Sequence, residues 1–196
     1  MADFKHTATF TGTEPISLDE AKAYLRVSTT ADNAYITSLI STARETIEKD
    51  TNTALVTNSY KEYLDGFPVS NGGIIDLQVS GALNTSTPVS ISYMGSDSVT
   101  HDITLVLDTD FVSGEFRGRP RLQPINVWAT ARDLIGSVKI SYTIDPIVAT
   151  ELPLIQAMYL LISHFYDNRS PIVYGSVKEM PIGYKKLIRP YKNFYF

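Results

Sequence analysis

Two hydrophobic periods divide the chain. Ile36, Leu39, Ile40, Ala43 and Ile47 recur at three and four residues, the stripe of an amphipathic helix. They predict a helix from Asp32 or Asn33 to Asp50. Ahead of it, Ser17 and Glu20 have capping-box spacing, in which each side chain satisfies a free amide of the first turn. Leu18, Ala21 and Leu25 then follow at helical spacing, predicting a helix over Leu18–Val27. Arg44 and Glu48 stand four apart and read as a solvated ion pair on another face of the second helix.

From Thr53 the period changes to two. Val56, Asn58, Tyr60, Glu62 and Leu64 share one parity, among β-branched and aromatic neighbours, and predict a strand. Asp65-Gly66-Phe67-Pro68 and Asn71-Gly72-Gly73 are turn chemistry. Further short strands are predicted at Ile74–Leu77, Val89–Tyr93, Ile103–Leu107, Phe111–Ser113, Arg119–Leu122 and Val138–Tyr142. Closely spaced short strands of this kind suggest an antiparallel sandwich or barrel.

The helical period returns after Thr150. Pro153 suits a first helical turn, and Leu154, Ala157, Met158, Leu161, Ile162 and Phe165 form a second stripe, stopped at Ser170-Pro171. Ile182–Ile188 predicts a last short helix before Pro190. The fold class is therefore α+β. A small helical bundle is formed by both chain ends, residues 1–51 with 151–196, and an antiparallel β domain is inserted at 52–150. Residues 18–50 and 153–168 are expected to pack together, burying Ile36, Ile40, Ile47, Leu154, Met158, Leu161 and Phe165.

Composition narrows the function. The 196 residues are 43% hydrophobic and 19% charged, enough apolar content for a packed core. No apolar run approaches the roughly 20 residues of a membrane span, and Met1–Phe10 lacks the apolar centre of a secretory signal. With no cysteine there is no disulfide, thiolate metal site or cysteine nucleophile. The net charge of −4 divides as −3 over residues 1–51, −4 over 52–150 and +3 over 151–196. Such a chain is not built to grip nucleic acid, which needs a dense cationic surface.

Catalytic and metal chemistry is thin. His164 and Asp167 are three apart on a predicted helix, but a metal site needs three or four ligands. Asp108-Thr109-Asp110 opens like a calcium loop without its glycine or closing glutamate. There is no phosphate-binding glycine loop and no nucleophile elbow. Neither an enzyme, a metal nor a cofactor is indicated. Two features bear on binding. Arg117, Arg119 and Arg121 alternate and would share one strand face, either as a contact for DNA or an acidic partner or as a charged edge strand that discourages edge pairing. At the chain end Tyr191, Phe194, Tyr195 and Phe196 stand beside Lys185, Lys186, Arg189 and Lys192. Aromatic residues are favoured at interfaces, so this segment either docks on a partner or packs on its own domain. Pro190 is expected to detach Arg189–Phe196 from the preceding helix as an assembly arm.

Ile16-Ser17-Leu18-Asp19-Glu20-Ala21-Lys22-Ala23-Tyr24-Leu25-Arg26-Val27 resembles the opening helix of the head–tail connector proteins of tailed bacteriophages. Ala43-Arg44-Glu45-Thr46-Ile47-Glu48 followed by Thr53-Ala54-Leu55 is similar to their second helix and its exit. Leu64-Asp65-Gly66-Phe67-Pro68 resembles a turn of their longer members, and Ile155-Gln156-Ala157 through His164-Phe165-Tyr166-Asp167-Asn168-Arg169 their third helix. The resemblance implies a structural virion protein of the neck, assembled in the host cytoplasm. It implies a ring, usually of twelve copies, beneath the portal. Such a ring extends the DNA channel, lets DNA pass without holding it, and carries the next neck or tail-completion protein. It also implies that the C-terminal segment docks on the portal. A rival reading is a carbohydrate- or other ligand-binding module using the β domain, and a third is a small hydrolase with an unrecognised site.

Overall fold

The computed structural model describes residues 7–10, 12–116, 118–146, 152–168 and 182–192. The chain forms two compact units, residues 13–55 with 148–196 and residues 1–12 with 56–147.

The first unit is helical, with α1 (Leu18–Leu25), α2 (Asn33–Thr51), α3 (Leu152–Asp167) and α4 (Ile182–Ile188). The capping box of α1 is complete. The amide of Glu20 donates to Ser17 Oγ at 3.2 Å, and the amide of Ser17 donates to Glu20 Oε2 at 2.8 Å. The helix ends earlier than Val27 because Arg26 turns left-handed, at φ 59°, and caps it. The apolar stripes of α2 and α3 meet in one core with Ile16, Ala21, Tyr184 and Ile188. Ile36, Ile40, Ile47, Leu154, Met158 and Leu161 are buried, whereas Phe165 is half-buried at the edge.

Tyrosine hydroxyls tie the helix ends. Tyr35 donates to the carbonyl of Phe165 at 3.2 Å and Tyr166 to Asp32 Oδ2 at 2.7 Å, which places the start of α2 beside the end of α3. Tyr184 donates to Asp50 Oδ2 at 2.8 Å and anchors α4 on the end of α2. Burial, then that bond and the Asp50 charge, push the Tyr184 phenol well above its ordinary pKa.

Arg44 corrects the reading of a solvated ion pair, because its side chain is only 6% exposed. Its Nε donates to Glu14 Oε2 at 2.9 Å and its Nη1 to Glu48 Oε2 at 2.6 Å. The other oxygen of Glu48 accepts the Leu55 amide at 2.9 Å. Burial opposes the charge of Arg44, but Glu48 and Glu14 outweigh it and raise the pKa.

The second unit holds β1 (Thr7–Phe10), β2 (Asn58–Leu64), β3 (Ile75–Asp76), β4 (Ala82–Leu83), β5 (Val89–Met94), β6 (Thr100–Leu105), β7 (Phe111–Phe116), β8 (Arg119–Pro124) and β9 (Val138–Asp145). Two antiparallel sheets result. One runs β1-β2-β9-β5-β6 with β4 also on β9, and the other β3-β8-β7. Strand β1 overturns the assignment of the whole of residues 1–51 to the helical part: Thr7–Phe10 pair with Asn58–Lys61. The first long strand starts at Asn58 and not Thr53, since α2 runs to Thr51 and Glu48 takes the Leu55 amide. On β9, Val138, Ile140, Tyr142 and Ile144 are buried in strict alternation. Ile140 lies opposite Glu62 on one side and Ile91 on the other.

Glu62 is the polar member of this core and is fully buried. Its Oε1 accepts from Tyr142 Oη on β9 and from the Gln78 amide, at 2.8 Å, just past β3 of the smaller sheet. Its Oε2 has no hydrogen-bond partner among the described residues. Burial therefore raises its pKa, against the opposing pull of Tyr142, the Gln78 amide and the Arg119 charge.

Replacing fully buried Leu161 by Ala should destabilise the helical unit by about 2–5 kcal/mol, read by denaturant unfolding; a change within error would place the α3 stripe outside the core. For Glu62 the sign follows from the raised folded-state pKa. The folded state holds a proton that the unfolded chain releases, so stability falls as pH rises from the ordinary carboxylate range through the raised value. Glu62→Gln should remove that component. The unfolding free energy of the wild type should therefore fall relative to that of Glu62→Gln as pH rises across this window; a pH-independent difference would refute it.

Candidate partner-binding surfaces

Of the C-terminal cations, Lys185, Lys186 and Arg189 are exposed and Lys192 is half-buried. α4 buries Tyr184 and Ile188, which turns Lys185 and Lys186 outward, and Arg189 follows on the exposed side of the next turn. Lys185, Lys186, Arg189 and Lys192 make no ion pair among the described residues. Pro190 does not detach the segment: Arg189–Tyr191 continue as a 3-10 turn, in whose first turn proline is tolerated. Tyr191 packs partly buried against the helical core. Phe194, Tyr195 and Phe196 lie outside the described residues, as does Arg117.

Arg119 and Arg121 share a face, as the alternation predicts, but not on an edge strand. β8 is the central strand of its sheet, between β3 and β7. Both side chains are half-buried and held within the unit. The guanidinium of Arg121 pairs with Asp76 through two bonds, the second at 3.2 Å, and lies 4.4 Å from the centre of the Phe116 ring. Arg119 lies within electrostatic reach of Glu62. A guanidinium already paired with a carboxylate has less to offer a phosphate.

A third surface was not singled out from the sequence. The loops after β2 and after β8 enclose a groove of about 520 Å³ lined by residues 66–69, 72–73, 126–131 and 133. The predicted turns at 65–68 and 71–73 form one wall. Phe67 stacks on Trp128 with ring centres 5.4 Å apart, and Tyr93 meets Phe67 edge-on at 5.5 Å. Trp128 Nε1 donates to the Gly73 carbonyl at 2.5 Å. Gly73 sits at φ +73°, and a Cβ there would come within 3.2 Å of Trp128, so close approach of the two loops requires glycine. The signals available in the sequence were the lone tryptophan and the two glycine turns; what could not be read was that Trp128 and Gly73, 55 positions apart, meet.

Among the described residues no group of three His, Asp or Glu side chains could hold a metal, and no helix is long and apolar enough to cross a membrane.

Residues 15–101 match the family of phage gp6-like head–tail connector proteins. No curated protein sequence gives a significant match. Three chains of solved particles have the same fold at 18% identity. One, from the virion of a native gene transfer agent (GTA) particle, has a TM-score of 0.69 and covers 97% of this chain and 96% of its own. Another, from the neck of an empty GTA particle computed with C6 symmetry, scores 0.66 with 97% of each chain covered. The third, from the neck of a native GTA particle computed with C12 symmetry, scores 0.58 with 95% and 97% covered. The matched family is one of structural connectors, not enzymes. Residues 15–101, somewhat under half of the chain, are thus similar to the phage gp6-like head–tail connector proteins, and nearly the whole chain shares the α+β fold of the gene transfer agent chains.

Proposed function

We propose that the protein is a head–tail adaptor of the virion neck, assembled in the host cytoplasm as a closed ring of twelve copies beneath the portal. The ring extends the DNA channel and carries the next neck or tail-completion protein. The observation that supports this most is the coincidence, on one chain, of the connector-family match over residues 15–101 with a neck-particle fold along nearly its whole length. The necks it is similar to were computed with six- and twelvefold symmetry, and head-to-tail contacts between identical copies close into rings. A chain with net charge −4, whose Arg121 is already paired with Asp76, offers passing phosphates little to hold.

The portal-facing surface in this reading is formed by the exposed Lys185, Lys186 and Arg189 and the half-buried Lys192, with Tyr191 and the residues next in sequence, Phe194, Tyr195 and Phe196, as its aromatic part. Charged patches of this kind steer association and orient partners.

The aromatic groove favours a second reading, a carbohydrate-binding module. Its chemistry argues against that reading. One face of Trp128 is covered by Phe67 and its N–H is already donated to Gly73. The polar side chains left in the lining are Asn126, Thr130 and Asp133, few for a ligand covered in hydroxyls.

Because Tyr191 packs on the core, the proposed arm is Asn193–Phe196 together with the α4 cations. Deleting residues 193–196 should leave the melting temperature nearly unchanged and abolish co-sedimentation with portal-bearing heads. Unfolding of the truncated chain, or its normal attachment, would contradict the proposal. Size-exclusion chromatography with light scattering should show one ring-sized species when portal protein is added; a monomer that ignores the portal would sink the adaptor reading.

A further inference from the structure

We infer that the groove between the loops after β2 and β8 is a docking site for an extended, apolar and cationic segment of another polypeptide. The inference rests on the assembly reading above, in which an adjoining neck protein supplies that segment.

Exposure is the first ground. Val69, Val127 and Ile135 are 98%, 88% and 97% exposed. They belong to one end of the β unit: Val69 and Val127 line the groove, and the 133–137 loop is tied to its wall by Gly136 N and Ser137 Oγ, which donate to Asp65 at 2.9 and 2.7 Å. An isolated exposed aliphatic residue is ordinary, but several at the rim of an apolar groove mark an interaction surface.

The second ground is the backbone. Residues 127–130 belong to no helix or strand, and Val127 and Ala129 make no backbone hydrogen bond among the described residues. Their amides and carbonyls are open to an incoming chain, as in recognition by strand addition, where main-chain bonds supply affinity and pockets read alternate side chains. The wall behind them is preformed, since Phe67, Trp128 and Gly73 already hold one another, so little ordering cost remains for binding.

Charge selects the occupant. Asp133 is the charged residue of the lining, and it is exposed and makes no ion pair among the described residues. An apolar segment carrying lysine or arginine complements it, and one carrying carboxylates does not. A saccharide lacks the apolar side chains that Val69, Val127 and Ile135 would cover.

Trp128 is the only tryptophan in the chain, so its emission reports on this groove alone. The probe is an acetylated, amidated hexapeptide alternating valine and lysine, titrated into the full-length protein. A saturable blue shift is expected at submillimolar peptide. Val127→Lys should abolish it without lowering the melting temperature, because the side chain is solvent-exposed, and Asp133→Asn should weaken it about two- to fivefold. No shift up to millimolar peptide would overturn the inference. So would equal binding of the peptide with glutamate in place of lysine, or a shift produced by chitotetraose instead. A shift that follows protein concentration alone, together with a dimer mass in light scattering, would assign the groove to a second copy and also overturn it. Peptide binding in a protein that forms no ring with the portal would instead count against the adaptor reading and leave the groove assignment standing.

Discussion

The helical unit depends on a charge that burial alone would expel. Arg44 lies inside the unit, and an uncompensated guanidinium there would cost several kcal/mol. Glu14 and Glu48 hold it at 2.9 and 2.6 Å. The consequence reaches beyond the pair. Glu14 belongs to the segment by which the chain comes into this unit, and Glu48 also accepts the amide of Leu55, where the chain leaves it. One buried cation thus fixes the first and second chain crossings on the flank of α2. Ser41 adds a bond to the free oxygen of Glu14, at 2.8 Å. Removing one partner would strand a buried charge, whereas an apolar replacement of the whole cluster would lose the tie to Leu55.

The β unit solves a similar problem with a single carboxylate. Glu62 stands where an aliphatic residue would fit the alternation of β2, and it accepts from Tyr142 in its own sheet and from the Gln78 amide beside the other. A polar group buried between two sheets sets their relative register more narrowly than apolar packing does, because hydrogen bonds are directional. With the sheets so held, the loops after β2 and β8 are carried at one end and their aromatic side chains interlock. The site chemistry is consistent with assembly: exposed cations on α4, exposed aliphatic residues at the groove, and arginines of β8 that serve the unit's own packing.

The local code was readable in detail. Helix α2 was legible from its three-and-four repeat, α1 from a Ser-x-x-Glu box that forms both of its bonds, and β9 as a strand at Val138–Tyr142, which the structure extends to Asp145. Each of these signals acts over a few neighbouring residues. The same locality explains the errors. β4 is two residues long and carries no period, and β1 exists only through pairing with Asn58–Lys61, some fifty residues away. Arg44 and Glu48 look like any surface pair at i,i+4 until Glu14 and Leu55 close over them.

Of the candidate surfaces, the sequence by itself determined which residues are cationic or aromatic and that Lys185, Lys186 and Arg189 cluster. The tertiary structure decided which of them are available. It set β8 at the centre of its sheet and gave Arg121 to Asp76, it packed Tyr191 on the helical core, and it joined two distant turns into the groove around Trp128. The physical reason is that a side chain's chemistry is a property of its own atoms, whereas its availability depends on solvent access and on partners brought near by long-range folding.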